Sequence, residues 1–362
     1  MTQLLVDALE SDRPVRRTAF VVRLNRPGVS ARFDRRSVLV SLGLLVVIVA
    51  ALVAGVSIGV FPIPLSDVVP GILGVGSDDA TFIVQNLRLP RALTGLMVGA
   101  AFGLSGAIFQ TLARNPLASP DIIGVTAGAS LAAVAAIVLA GASTGAIAGA
   151  AFAGGLGATL AVYALAYRRG VTGYRMVLVG VGLTAVGSSL TSWLLTKANL
   201  YDAQEAAIWL TGSLNNQGWE HVVPVGLALA VLIPATALLA PHLRCLQLGD
   251  DTAHGLGVKV ETYRLSLLAA GVALASMATA SAGPVAFVAL IGPQIAKRLC
   301  RASGIALVPA ALTGAALVLI ADLIGRQLFA PTTLPVGVIT AVVGAPFLLW
   351  LLAQANRSGR GG

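Results

Sequence analysis

A chain of 362 residues with 57% hydrophobic and 11% charged residues is not a soluble globular protein, because an average domain carries roughly 25% charged residues. Only two cysteines, Cys245 and Cys300, are present, which excludes a disulfide-built scaffold. The formal charge of +9 suggests a nucleic-acid partner until its placement is read along the chain.

Residues 1–36 form a polar, basic tail with eight arginines and four acids. Arg16-Arg17 has the look of a twin-arginine export signal, but the apolar run that follows, Ser37 to Val60, has 24 residues. A cleavable signal core is about 7–15 residues, so this run reads as an uncleaved first span. Further runs of about the length a bilayer requires follow at 91–113, 121–141, 145–167, 175–197, 221–240, 263–282, 284–300, 305–325 and 335–354. Ser281-Ala282-Gly283-Pro284 separates two nearly merged runs and predicts a tight hairpin, because proline lacks the amide proton a helix needs.

Ten spans place both termini on one side of the membrane. Of 24 Lys and Arg residues, 20 then fall on that side, leaving Arg88, Arg91, Lys197 and Arg326 opposite. The positive-inside rule makes the majority side cytoplasmic. The positive charge thus records topology and gives no reason to expect nucleic acid. Both cysteines face the reducing cytosol, where a structural disulfide is not expected.

Gly95, Gly99 and Gly103 form a one-face row in the second span, and Gly145 and Gly149 start another in the fourth. Small residues four apart let helices pack closely, and the same pattern also suits a wall along a solute path. In the SPDIIG run, Ser119 or Asp121 is placed to cap the third span. Trp193, Trp209, Trp219 and Trp350 lie near span ends or outer loops, as interfacial anchors do.

No Gly-Lys pair occurs, so a nucleotide-cradling loop is missing, and His221, His242 and His254 lack metal-ligand spacing. No catalytic or metal-binding set emerges. Asp322 is the only acid read as lying well inside a span, with Arg326 one turn later to pair with it. An ion-coupled carrier usually keeps more ionisable groups near the midplane, so active transport here points to energy from another chain.

Two polar constellations have opposite addresses. The cytoplasmic loop 241–262, PHLRCLQLGDDTAHGLGVKVET, predicts two short helices around a hinge at Gly249, with Asp250, Asp251 and Thr252 as caps. Such a knob fits the cleft of a soluble partner, and a solvated loop is the competing reading. Outside, Arg88 and Arg91 in LRLPRAL, joined by Arg326, concentrate guanidinium groups suited to carboxylate partners or to interface anchoring.

From about residue 40 to 354 the chain resembles the FecCD/vitamin-B12-type permeases, the membrane subunits of ABC importers for iron-siderophores, haem and cobalamin. The resemblance rests on LRLPRALTGLMVGAAFGLSGAIFQTLARNPLASPDIIGVTAGA, LGDDTAHGLGV, ASAGPVAFVALIGPQIAKRL, ADLIGR and LPVGVITAVVGAPFLLWLL, in that order. It implies an all-α polytopic fold of the vitamin-B12-permease type (type II ABC importer), with a ten-helix permease domain over 37–354 and a short cytoplasmic tail at 355–362. It also implies a permease dimer with the path at its interface, and two ATPase subunits that carry ATP and Mg, leaving this chain without a cofactor of its own. In such proteins the segment matching Gly249, Asp250, Asp251, Ala253, Gly255, Leu256 and Gly257 couples to the ATPase. Arginines matching Arg88, Arg91 and Arg326 receive acidic residues of a substrate-binding protein, and the loop near Arg168 to Arg175 matches a cytoplasmic gate. Where the family often has Pro-His, this chain has Pro293-Gln294, a position read as structural. RNPLASPDIIG looks most like the second permease of enterobactin-type systems, implying a heterodimer, with a homodimer as the alternative. Ferric siderophore is the implied cargo, cobalamin or haem the alternatives, and an ion-coupled secondary carrier the competing class.

Overall fold

The computed structural model describes residues 19–23, 30–59, 61–167, 173–302, 304–328 and 332–358. In the basic tail, β1 (Ala19–Arg23) and β2 (Ser30–Asp34) pair antiparallel, Ala19 opposite Asp34 and Arg23 opposite Ser30. The sequence reading assigned no element there, because two five-residue strands are too short to declare themselves by alternation.

Each predicted span corresponds to a helix. They are α1 (Arg35–Ser57), α4 (Leu89–Leu112), α5 (Val125–Ala140), α6 (Thr144–Ala166), α7 (Gly173–Lys197), α9 (Trp219–Gln247), α11 (Val260–Ala282), α12 (Val288–Cys300), α13 (Leu307–Gln327) and α14 (Val336–Ser358). Short helices α2 (Leu65–Leu73), α3 (Asp78–Phe82), α8 (Leu200–Leu210) and α10 (Asp250–Gly255) lie between them. A π-helical turn, Ile83–Arg88, leads into α4. Among the described residues, eight helices are long and apolar enough to cross a membrane, and α5, at 16 residues, is a shorter apolar one. The fold is an all-α polytopic bundle.

Three boundaries differ from expectation. The third span begins at Val125, not at residue 121, because Pro120–Ile123 forms a separate 3-10 turn closed by Gly124 at φ 78°. α9 runs on to Gln247, and at 29 residues it is about 44 Å long, well beyond a 30 Å hydrocarbon core. Its last turns bury Leu243 and Leu246, so only one short helix, α10, exists where two were expected. α12 starts at Val288, four residues later than predicted, and its 13 residues span about 20 Å.

The break before α12 is real, but its consequence is not a tight hairpin. Gly283 has φ 71° and Phe287 φ 65°, and the chain between them is non-helical. α11 and α12 both pack against α4 instead of chiefly against each other. Irregular backbone at membrane depth is tolerated only where protein or a water-filled cavity surrounds it. Here the Ser213 amide donates to the Ala282 carbonyl at 2.8 Å, and the Gln217 side-chain amide to the Ser281 carbonyl at 3.0 Å.

α4 is the centre of the bundle, packed by α9, α11, α12 and α13. Its row of Gly95, Gly99 and Gly103 lies against α13, where a β-carbon at Gly99 would meet the Gly314 carbonyl and one at Gly103 the Ala310 carbonyl. The row is a packing seam. Gly145 and Gly149 are not: nothing among the described residues lies near a β-carbon at either. α6 packs instead through Gly154, against Gly128 of α5, and Gly155, against Ser276 of α11.

Candidate functional site

A cavity of about 560 Å³ opens beside α5 and α7 and is closed on one side by the non-helical Pro284–Phe287 segment. Hydroxyl groups dominate its polar lining: Ser119, Thr126, Ser130, Thr184 and Ser188, with Asp121 among them. The Thr126 hydroxyl donates to Asp121 Oδ1, so Asp121 ties the 3-10 turn to the first turn of α5 instead of capping a helix directly. Thr184 Oγ1 is buried and has no hydrogen-bond partner among the described residues. Sequence reasoning missed this site, because its hydroxyls come from three places in the chain: Ser119 before the 3-10 turn, α5 and α7. The only signal was the serine and threonine content of α7, unusual for a lipid-facing helix.

Beside the cavity, Gln294 shows what the Pro-Gln departure does. Its side-chain amide donates to Gln110 Oε1 and to the Pro116 carbonyl at 3.2 Å, while Gln110 donates to the Leu290 carbonyl at 2.9 Å. Both glutamines are buried and tie α4 to α12 and to the loop after α4. The position is structural, as its sequence context suggested. Of the predicted gate loop, residues 168–172 lie outside the described residues; Arg175 is exposed on α7.

The segment expected to meet an ATPase is braced by three helices. Gly249 (φ 116°) and Gly257 (φ 78°) turn the chain into and out of α10, conformations that a β-carbon would strain. Asp250 accepts from Arg114 at 2.7 Å and from Arg264 at 2.7 Å, joining α10 to the end of α4 and to α11. Arg114 also donates to the Leu246 carbonyl at 3.0 Å, which closes the end of α9. Ala253 is fully buried in the main core. Asp251 and Gly255 are exposed, as is Leu256 at 61% of its surface. The predicted residues thus divide by role. Gly249, Asp250, Ala253 and Gly257 hold the knob, and Asp251, Gly255 and Leu256 form its outward surface.

The hydrogen bond from Arg264, with Arg114 beside it, holds the Asp250 carboxyl below the usual carboxylate range. A folded-state value below the unfolded one stabilises the protein above the unfolded pKa of about 3.9 and loses that contribution as pH falls through the folded value. The bracket is therefore intact at neutral pH, and acid releases it only below about pH 4. Asp250→Asn is expected to loosen α10 at pH 7, read as faster amide hydrogen exchange over 249–258. Unchanged exchange there would remove Asp250 from its bracketing role.

At the opposite face the three predicted arginines do converge, but inward. Arg91 grips Asp322 through Nε and Nη2, the shorter contact 2.7 Å, and Arg326 approaches the same carboxylate at 3.2 Å. Arg326 also donates to the Gly55 carbonyl at 3.3 Å, and Arg88 to the carbonyls of Val56, Ser57 and Phe61 at 2.6, 3.0 and 2.5 Å. Arg88 and Arg326 therefore terminate α1 by satisfying its last carbonyls. The i,i+4 pair read from the sequence exists, and Arg91, 231 residues away in the chain, completes it.

The sequence profile of the FecCD transport family matches residues 44–354. The ferric enterobactin transport system permease protein FepG of Escherichia coli is 42% identical over 324 residues, covering 90% of this chain and 98% of that protein. The achromobactin transport system permease protein CbrC of Dickeya dadantii is 42% identical, covering 89% and 95%. Among solved structures, a metal-chelate type ABC transporter in an inward-facing conformation matches with TM-score 0.76 at 28% identity, over 88% of this chain and 99% of that one. Motifs, ten helices and full-length likeness agree, and the chain belongs to the FecCD transport family.

Proposed function

We propose that this chain is the permease subunit of an ABC importer for ferric siderophores in the bacterial cytoplasmic membrane, with both termini in the cytosol. It works with a second permease chain, two ATPase subunits holding ATP and Mg, and an extracytoplasmic substrate-binding protein. Cargo follows from relatives named as permeases for ferric enterobactin and achromobactin. The observation that carries the path is the exposed face of α7, where Gly182, Ser188, Ser189 and Ser192 flank the hydroxyl-lined cavity. Lipid tails offer such groups no partner, whereas a second permease chain buries them and closes the cavity into a path. A related but distinct chain fits that role, and a second copy of this one is the alternative.

Energy enters from the ATPase. Asp322 is held by two guanidinium groups, which suits a structural charge and not a carboxylate that must exchange ions. The binding protein docks on the rim around Arg88, Arg91 and Arg326, where two guanidinium groups hold one carboxylate, Arg88 holds the end of α1, and the Nη1 group of Arg91 has no acceptor among the described residues.

Proteoliposomes holding the full complex are expected to accumulate a ferric catecholate only with ATP and the binding protein. Accumulation of cobalamin or haem in its place would overturn the cargo, and ATP-independent uptake would overturn the driving force. Leu256→Asp places a charge on the exposed tip of the coupling knob and is expected to release the ATPase on co-purification, leaving the bundle folded. Full retention of the ATPase would move the docking surface elsewhere.

A further inference from the structure

At the end of the bundle where α1 begins and α14 finishes, these two helices each lie against α12 and α13 but make no extensive contact with each other. This leaves the end of α12 between them. Arg36, exposed at the start of α1, reaches across to α12, donating through Nε to the Leu299 carbonyl at 2.7 Å. Arg298, on the last turn of α12, reaches the other way, with its guanidinium carbon 4.3 Å from the centre of the Trp350 ring and Nη2 2.9 Å from Gln354 Oε1. Lys297 and Arg301 add two further cations at the same helix end.

Cations outnumber acids here: Asp34, the N-cap residue of α1, is the acid beside the end of α12, set against Arg36, Lys297, Arg298 and Arg301, and the sequence has no acid after Asp322. The first turn of α1 holds no acidic residue, so Arg36 sits at the positive end of a 23-residue helix. Asp34 at the N-cap offsets only part of that charge, and the placement becomes favourable once an anion lies between the cations. The same helices present exposed apolar side chains next to these groups: Leu39 on α1, Leu299 beside Arg298 on α12 and Leu349 beside Trp350 on α14. Cations beside exposed apolar side chains and an aromatic ring match the phosphate and acyl chains of a phospholipid.

We propose that the ends of α1, α12 and α14 form a binding site for an anionic phospholipid of that leaflet, with the headgroup phosphate held by Arg36, Arg298 and Arg301. Basic pockets between helices at the cytoplasmic side suit such headgroups. The site joins the first, eighth and tenth spans, so an occupied site braces α1 against α14, which make no extensive contact of their own.

Native mass spectrometry of the detergent-purified chain, titrated with phosphatidylglycerol and separately with phosphatidylcholine, tests this. Preferential retention of phosphatidylglycerol is expected, weakened about fivefold for each arginine replaced by glutamine. Arg301→Gln is the cleanest variant, since the Arg301 side chain makes no hydrogen bond or ion pair among the described residues. Arg36→Gln/Arg298→Gln reads the remainder, and its folding is checked by the unchanged retention of phosphatidylcholine. Equal retention of the two lipids by the unaltered chain overturns the proposal, as does a preference that survives all three substitutions.

Discussion

Asp322→Ala is expected to destabilise the bundle by about 3–5 kcal/mol, the range seen when one partner of a buried ion pair is removed. Its carboxylate is 5% exposed and faces Arg91 and Arg326, both largely buried. Deleting the carboxylate leaves two guanidinium groups facing each other with no counter-charge, and their mutual repulsion adds to the lost attraction. The damage spreads beyond one pair, because Arg326 also satisfies the Gly55 carbonyl at the end of α1. Thermal unfolding of the purified chain measures this. Arg91→Gln/Asp322→Asn should be more stable than Asp322→Asn alone, since it removes a stranded charge together with its partner. A melting temperature unchanged by Asp322→Ala, or strictly additive effects, would sink the account.

Gly99→Ala and Gly149→Ala are expected to act in opposite directions. At Gly99 a β-carbon would meet the Gly314 carbonyl and the Ala315 α-carbon, backbone atoms that no rotamer change can move. α4 and α13 must separate, and the cost is at or above the roughly 1–3 kcal/mol of ordinary overpacking. At Gly149 nothing lies within contact, so alanine's better helix propensity contributes up to about 1 kcal/mol of stability. The same one-carbon change thus separates a seam from an open face in unfolding experiments on the isolated chain. Equal effects at the two positions would mean that the α4–α13 contact is not what fixes the bundle.

Much of the fold was legible in the sequence. An apolar run of about 20 residues has few alternatives in lipid, since each backbone group must be satisfied within its own helix. Hydropathy therefore located ten helices, and the distribution of Lys and Arg gave their expected alternation. Where boundaries slipped, a local feature outweighed hydropathy. Pro284 and the left-handed Phe287 delay α12, Gly124 separates the 3-10 turn from α5, and α9 continues past the apolar run because Leu243 and Leu246 pack into the main core.

The sites were only half legible. Arg88, Arg91 and Arg326 were singled out by side and number, and their convergence is real. Sequence did not reveal that their donors turn inward to Asp322 and to the last carbonyls of α1. The glycine rows looked alike in spacing, yet one packs and the other does not.

The low charge, the apolar share and the 20-to-4 distribution of Lys and Arg determined class, span count and expected orientation from sequence alone, because each depends on the segment and the bilayer and not on its neighbours. Only the tertiary structure decided which glycines touch, which hydroxyls share a cavity and which arginines are already engaged. Those properties belong to pairs of residues far apart in the chain, such as Arg91 with Asp322 and Gln110 with Gln294, and no local pattern encodes a partner some two hundred residues away.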